Sequence, residues 1–449
     1  MISLTVDAIR GCLDGDLPAS IATCSPDGTP NVTMLSQVQY VDSHHVALSY
    51  QFFNKTRENI LANPFATVEV IHPVTAAVYQ LSLRYLRTES AGALFENMKA
   101  KLAGIASHTG MQRVFRLLGA DIYHVSAIHA VPGVLLPETP RPSLLSATRA
   151  CCEHVASGGE LAAILDQLLT DLHRCFGIEH AMVLIFDETA QRLYTVASRG
   201  YDFSGVGSEI PLGEGVVGVA ARERTPIRVT HFASDYIYSR AIQESIAAAG
   251  LPGEIETKIS LPGLVTPQSQ LAVPIVSGGR LLGALFVESG EELRFGYDEE
   301  DALATIGTQL GMQLVVLQQA SAATDENPPA GNLASPPSGV PAEIRHYAAD
   351  QSVFIDEDYL IKGVAGAIFW KLMREYVAGR RSEFSNRELR LDPALRLPAM
   401  SENLEARLVL LERRLNDRCA FIRIEKTGRG RFRLVVRRPV KLSEVPGGG

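Results

Sequence analysis

The sequence has few cysteines and no long apolar run, and each shortage excludes a class of protein. Its 6 cysteines are scattered without a Cys-x-x-Cys pair, so zinc and iron-sulfur sites are not expected. No stretch reaches about 18 uncharged apolar residues. The N-terminus also lacks a basic segment that leads into an apolar one. We therefore predict a cytoplasmic protein with no membrane contact and no metal.

The chain of 449 residues is longer than one compact core usually holds, because domains commonly have about 100 to 200 residues. A hydrophobic fraction of 46% and a charged fraction of 20% are typical of globular proteins. Proline-rich stretches near 132–142 and 320–341 interrupt the pattern of apolar residues. We predict a multidomain α+β fold with domains at 1–132, 143–320 and 343–441, and a flexible linker at 321–342.

The charges are distributed unevenly along the chain. The formal net charge is -8, but residues 359–441 alone carry +11 and the remainder carries -19. Such an asymmetry favours a polyanionic partner for the C-terminal block. A solvated basic face is the alternative interpretation.

The N-terminal block has the pattern of closely spaced strands. The runs 19–24 and 31–36 flank Pro26-Asp27-Gly28, which is typical of a tight turn. The order of Leu-Pro-Ala-Ser-Ile-Ala-Thr at 17–23 and Asn-Lys-Thr-Arg-Glu-Asn at 54–59 resembles the pyridoxamine 5'-phosphate oxidase-like family. The resemblance implies a split β-barrel of the FMN-binding type over about residues 15–130.

The resemblance also implies a flavin site between two protomers. Lys55 and Thr56 match the family segment that contacts the flavin phosphate, and Asn59 belongs to the same run. A cation and a hydroxyl suit a phosphate, although a solvated helix start is the alternative interpretation of Lys55 and Arg57. Catalytic members carry Arg or Lys on a strand that corresponds to 31–40, where this chain has neither. This departure argues against oxidase activity.

The middle block begins with a helical apolar face at 160–173 and ends with a helix at about 298–318. Its runs Leu-Gly-Glu-Gly-Val-Val-Gly-Val-Ala (212–220) and Gly-Gly-Arg-Leu-Leu-Gly-Ala-Leu (278–285) resemble the GAF family, a likeness that extends over 145–318. The family implies an α/β sandwich that holds a small ligand and dimerises through terminal helices.

The candidate ligand contacts of this block are Tyr236, Tyr238 and Arg240, which lie where such a domain has its lid. Two tyrosines and an arginine suit an aromatic or anionic effector. Simple packing on the surface is the alternative for all three residues.

The C-terminal block predicts three helices and a hairpin. Ser385 and Glu388 form a capping-box pattern, and a helix follows over 401–418. Alternating strands at 421–425 and 432–436 then flank the glycines at 428 and 430. This layout resembles the effector domain of OmpR-type response regulators. It implies a winged helix whose third helix enters the major groove. The candidate DNA-binding residues are Asn403, Arg407, Arg414, Arg418, Lys426, Arg429 and Arg431.

A winged helix used for protein docking is the alternative, but the excess of cations favours DNA. We therefore predict a dimeric transcriptional regulator that senses a small molecule or a redox state through its first two domains and binds double-stranded DNA through the third. No residue is assigned a catalytic role. The alternative function is an FMN-dependent oxidoreductase with regulatory GAF and winged-helix domains.

Overall fold

A computed structural model describes residues 4–13, 17, 19–35, 37–51, 54–108, 117–137, 143–229, 259–323, 339–395, 404–428 and 430–445, with side chains except at 93, 103–108 and 321–323. We divide them into an N-terminal module (4–137), a middle module (143–323) and a C-terminal module (339–445). In these ranges no helix is both long and apolar enough to cross a membrane.

The N-terminal module is built on an antiparallel sheet with the strand order β2-β1-β5-β6-β7-β4-β3. Val68 and Leu81 face each other across β5 and β6 and are fully buried, so one face of these strands forms the core. The predicted turn joins β1 to β2, and Gly28 there has a φ of 90°. The elements are a 3-10 helix at Val6–Cys12, β1 (Ala19–Cys24), β2 (Pro30–Leu35), β3 (Val38–Asp42), β4 (His45–Tyr50), α1 (Lys55–Ala62), β5 (Phe65–Ile71), β6 (Val78–Glu89), α2 (Ala93–His108) and β7 (Gly119–Val131).

The middle module has a sheet with the order β10-β9-β8-β13-β12-β11 between helical layers. The predicted helical face at 160–173 is confirmed, because its leucines are buried and the helix ends at Gly177 with a left-handed φ of 63°. The elements are α3 (Leu145–Ala156), α4 (Leu161–Phe176), β8 (His180–Asp187), β9 (Arg192–Arg199), β10 (Glu209–Pro211), α5 (Gly215–Glu223), β11 (Ile227–Val229), β12 (Ser269–Ser277), β13 (Arg280–Ser289) and α6 (Tyr297–Ala323).

The C-terminal module contains the expected three helices and hairpin, together with a sheet that the sequence analysis missed. Three strands of this sheet precede the helices, and the fourth follows the hairpin. That sheet has the order β16-β15-β14-β20, and the hairpin sheet has the order β17-β19-β18. Ser385 caps the second helix as predicted, since its side chain accepts a hydrogen bond from the Glu388 amide. The other half of the capping box is not formed, because the Glu388 carboxylate pairs with Arg381 instead. The elements are β14 (Ala342–Tyr347), β15 (Ser352–Ile355), β16 (Asp358–Ile361), α7 (Gly363–Gly379), β17 (Glu383–Ser385), α8 (Asn386–Leu391), a 3-10 turn at Pro393–Leu395, α9 (Leu404–Arg418), β18 (Ile422–Gly428), β19 (Arg431–Val436) and β20 (Val440–Val445).

The modules share apolar packing instead of meeting only at their surfaces. One continuous cluster of buried side chains runs from the α4 and α6 side of the middle sheet into the helices of the C-terminal module. On the other side, Ala100 of α2 is buried among the residues of α5 and β11. Both outer modules are therefore held against the middle one.

Candidate functional site

The N-terminal module has a small cavity at the start of α1. Its volume is about 100 Å³, and Thr56 and Arg57 are part of its lining. The Thr56 hydroxyl accepts a hydrogen bond from Asn31 Nδ2 at 2.8 Å, and Asn59 donates to the Thr23 hydroxyl at 3.1 Å. Lys55 is exposed on α1 and is not among the cavity residues. The three residues predicted for flavin binding thus lie on one short helix but face different surroundings.

The cation that does face this cavity is Arg57, and it is already neutralised. Its guanidinium forms a buried ion pair with Asp121 and donates to the Thr88 hydroxyl at 2.8 Å. It also lies 4.5 Å from the ring centroid of Tyr50. Burial raises the pKa of Asp121 above its ordinary value, although Thr88 and Arg57 both act to lower it. This arrangement is typical of a structural network.

A flavin would need its phosphate dianion to be matched by cations and hydrogen-bond donors at this end of α1. Among the described residues around the cavity, Arg57 supplies the positive charge, and Asp121 balances it. These residues fit a flavin phosphate poorly within one chain. FMN binding therefore stays a prediction, and no chemical step is derived from it.

The second candidate site is the joint between the middle and C-terminal modules, where α9 is enclosed. From Leu404 to Leu415, every residue of α9 is buried except Glu405, Glu412 and Arg413, which are half-buried. Its apolar stripe packs within its own module, as the leucine spacing predicted. Its opposite face lies on α4 and β9 of the middle module. The helix predicted to enter the major groove is therefore covered on both sides.

Arg407 is the buried centre of this joint. Its guanidinium donates to the Asp187 carboxylate at the end of β8 and lies 4.0 Å from the ring centroid of Tyr194 on β9. The side chains of Arg407 and Asp187 are 6% and 13% exposed, so water screens the pair little. Removing one partner of such a buried pair commonly costs about 3 to 5 kcal/mol. Arg407 thus anchors α9 to the middle module.

Three further ion pairs lie around Arg407, and in each of them the C-terminal module supplies the cation and the middle module supplies the carboxylate. Cations of the C-terminal module pair with carboxylates of the middle module at Arg413–Asp166 (2.6 Å), Lys426–Glu160 (3.0 Å) and Lys362–Glu209 (3.2 Å). These pairs are partly exposed, and each contributes about 0 to 1 kcal/mol. Their common direction makes the joint electrostatically complementary. We call this set, together with Arg407–Asp187, the interdomain ion pairs.

The remaining predicted DNA-binding residues have different positions. Arg414 is 4% exposed and donates to the backbone oxygen of Leu360 at 2.9 Å, so it braces its own module. Arg418 is exposed at the end of α9, and Arg431 lines a cavity beside the hairpin. Asn403 and Arg429 lie outside the described residues, as do the proposed effector contacts Tyr236, Tyr238 and Arg240.

The sequence analysis missed the acidic half of this joint. Asp187, Asp166 and Glu160 are separated in the chain and belong to no motif. The signal that was available is the charge of -19 outside residues 359–441, which made the rest of the same chain a candidate polyanionic partner. In the described part of the chain, no group of three or more His, Cys, Asp or Glu side chains is arranged to hold a metal.

Comparisons with known families support two of the three resemblances. Residues 5–111 match the family model for pyridoxamine 5'-phosphate oxidase, and residues 159–314 match the model for the GAF domain. No curated protein sequence matches the chain. The likeness of residues 360–437 to a winged helix stays a prediction.

Solved structures are similar to the first two modules at low identity. The GAF domain from an Acinetobacter phosphoenolpyruvate-protein phosphotransferase has 21% identity and a TM-score of 0.32, and the match covers 42% of this chain and 100% of that one. An FMN-binding protein from Syntrophomonas wolfei subsp. wolfei has 12% identity and a TM-score of 0.25, over 29% and 87%. Free methionine-R-sulfoxide reductase from Neisseria meningitidis has 19% identity and a TM-score of 0.29, over 40% and 93%.

These likenesses are too distant to assign an activity. The family models, in contrast, agree with the motifs in order and in position. The chain therefore contains a pyridoxamine 5'-phosphate oxidase-like N-terminal domain and a GAF domain.

Proposed function

We propose that this protein is a signal-responsive transcriptional regulator whose C-terminal module binds DNA and whose middle module controls access to it. The interdomain ion pairs carry this proposal. Arg407 and Lys426, two of the predicted DNA-binding residues, and the neighbouring Arg413 pair with carboxylates of the middle module. The same cations are suited to phosphates. The acidic surface of the middle module thus acts as an intramolecular substitute for a polyanion.

The charge and layout of the C-terminal module favour DNA over other partners. Residues 359–441 carry +11, and the order of three helices followed by a basic hairpin matches the winged-helix resemblance. A helix reads DNA only when its surface enters the major groove. Because the middle module covers α9, we interpret this arrangement, which we call the closed state, as inactive in DNA binding.

Control of DNA binding then requires a second state in which α9 is released. A signal shifts such an equilibrium only by its difference in affinity for the two states. Moving it from 1% to 99% released needs about 5.5 kcal/mol. The signal must oppose one buried ion pair, three partly exposed pairs and the apolar packing that the two modules share. A small ligand or a redox change in the first two domains is the proposed source of this free energy.

The test weakens the anchor without changing its shape. Asp187→Asn removes the charge that holds Arg407 but keeps an oxygen that can accept the hydrogen bond from the Ala190 amide. We expect the variant to bind DNA at least about tenfold more tightly. Each loss of about 1.4 kcal/mol in the free energy that favours the closed state changes the equilibrium by a factor of ten. The measurement is fluorescence anisotropy with a duplex from the region upstream of its own reading frame and an unrelated duplex of equal length.

Glu179→Gln is the matched control, since Glu179 is an exposed carboxylate of the same module. It should leave DNA affinity unchanged. In the Asp187→Asn background, Arg418→Gln should lower the slope of log affinity against log salt by about one, if Arg418 contacts a phosphate. Equal and negligible DNA binding by the wild type and Asp187→Asn at low salt would contradict the proposed function.

A further inference from the structure

A cavity of about 590 Å³ lies between the middle and C-terminal modules, beside the interdomain ion pairs. One wall is α6, and the connection between α3 and α4 closes an end. The facing wall consists of α9 and the hairpin of β18 and β19. Drug-sized ligands commonly occupy cavities of about 300 to 1,000 Å³. This space is therefore large enough for a small organic molecule.

Much of the lining is apolar. Val316 and Leu317 of α6 lie on one side, and Leu408, Ile424 and Phe432 lie on the other. The last three are at most 7% exposed, so they form a fixed apolar wall. Such a wall favours a ligand with an aromatic or aliphatic body, because burial of apolar surface drives its binding.

The charged side chains of the lining each have a hydrogen-bonding or ionic partner among the described residues, except Glu412. Lys426 pairs with Glu160 at 3.0 Å, and Asn386 Nδ2 donates to Glu405 at 3.1 Å. Arg431 also has an interaction partner. Glu412 has no hydrogen bond and no ion pair within 4.0 Å among the described residues, although it is half-buried on the α9 wall.

The groups around Glu412 indicate what kind of ligand group its carboxylate would pair with. Burial raises the pKa of its carboxyl, and the positive charge of nearby Lys426 counters this only in part. A half-buried carboxylate in this position gains from a cation that brings both charge and hydrogen-bond donors.

We propose that this cavity binds a small amphipathic cation, whose apolar body lies between α6 and the wall of Leu408, Ile424 and Phe432, and whose protonated amine pairs with Glu412. Both modules contribute to the site, so the ligand binds the closed state more tightly than the released one. By linkage, such a ligand stabilises the closed state and lowers DNA affinity. This effect on DNA rests on the proposed function, whereas ligand binding does not.

The test uses three indoles that differ in the charge of their side chain: tryptamine is a cation, tryptophol is neutral and indole-3-acetate is an anion. Each is titrated into the full chain by isothermal calorimetry. We expect tryptamine to bind at least about tenfold more tightly than indole-3-acetate, because a hydrogen bond to a charged group contributes about 1.5 to 3 kcal/mol. Equal affinity for the cation and the anion overturns the role of Glu412.

Two kinds of variant locate the site. Glu412→Gln should weaken tryptamine binding about tenfold and leave tryptophol binding unchanged. Ala320→Trp and Val316→Trp each place a large side chain in the cavity and should abolish binding. Val316 is 52% exposed, so at least that variant can fold, which circular dichroism checks. Glu179→Gln serves as the control, and tryptamine binding that survives both tryptophan variants overturns the location.

DNA titrations separate this inference from the function on which it builds. Tryptamine should reduce the DNA affinity of the wild type and have less effect on Glu412→Gln. If the protein binds no DNA, the proposed function fails, while calorimetry still tests the cavity. If tryptamine binds in the cavity and raises DNA affinity, the inferred preference for the closed state is wrong.

Discussion

Two buried arginine–carboxylate pairs lie at or beside the joints between modules. Arg407 holds Asp187 at one joint, and Arg228 holds Glu300 at 3.0 Å near the other. Burial alone would raise the pKa of Glu300, but the positive charges of Lys101 and Arg228 outweigh it and keep that pKa below its ordinary value. Lys101 belongs to α2, so charges of both the N-terminal and the middle module act on this carboxylate.

The stability that Glu300 contributes should depend on pH. Because the folded pKa of Glu300 is lowered, its contribution to stability is present above the unfolded value near 4.5 and is lost as pH falls through the folded value. Glu300→Gln should therefore lower the free energy of unfolding by about 3 kcal/mol near pH 7 and by much less near pH 3. Urea unfolding followed by circular dichroism measures the difference at each pH.

Asp298→Asn is the control, because Asp298 is an exposed carboxylate on the same helix. It should change stability little at either pH. A loss for Glu300→Gln that is as large near pH 3 as near pH 7 would show that packing, and not the charge, carries the effect.

At the scale of elements, the C-terminal module contains a close contact between helix α7 and the backbone just before strand β15. A Cβ added to Gly366 of α7 would lie 2.0 Å from the backbone oxygen of Gln351, which precedes β15. Only glycine fits there, because a backbone atom cannot move aside as a flexible side chain can. This contact sets the position of α7, against which α9 packs.

We expect Gly366→Ala to lower the free energy of unfolding of the C-terminal module by about 3 kcal/mol, since overpacking typically costs about 1 to 3 kcal/mol. Gly379→Ala is a matched substitution at the end of the same helix, where no atom lies within 4 Å of the added Cβ. It should have little effect. Scanning calorimetry of both variants makes the comparison, and equal melting curves would refute the steric argument.

At the scale of the whole molecule, acidic and basic regions separated in the sequence are brought together. The four interdomain ion pairs lie around α9 and the hairpin, and an apolar cluster continues beneath them. The closed state therefore combines apolar packing, three partly exposed ion pairs and one buried pair. Loss of the buried pair should weaken the joint most among the four, because it leaves a buried charge without its partner.

Loss of the buried pair should let α9 and the hairpin separate locally from the middle module. In Asp187→Asn, amide hydrogen exchange should accelerate in α9 and in β18 and β19, because their cover is released, while α5 and β12, which do not pack on α9, keep their protection. Mass spectrometry of peptic peptides resolves these segments. Uniform acceleration over the middle module would instead mean that the substitution damages its fold.

Local patterns in the sequence predicted much of this architecture. The leucine spacing of α4, the turn at Gly28, the helix cap at Ser385 and the hairpin after α9 depend on neighbours in the chain, and all are present. The two family resemblances that are confirmed follow from the same ordered motifs. Strands β14 and β20 were missed, since they pair with each other across almost 100 residues of chain.

The sequence by itself determined the elements, the two families and the segregation of charge, because periodicity, turn chemistry and composition are local properties. Only the tertiary structure decided which charges meet. Arg407 was a DNA-binding candidate, yet its carboxylate partner Asp187 lies 220 positions away and is brought to it by the packing of two modules. No spacing along the chain encodes such a contact, because it depends on surfaces that exist only after each module has folded.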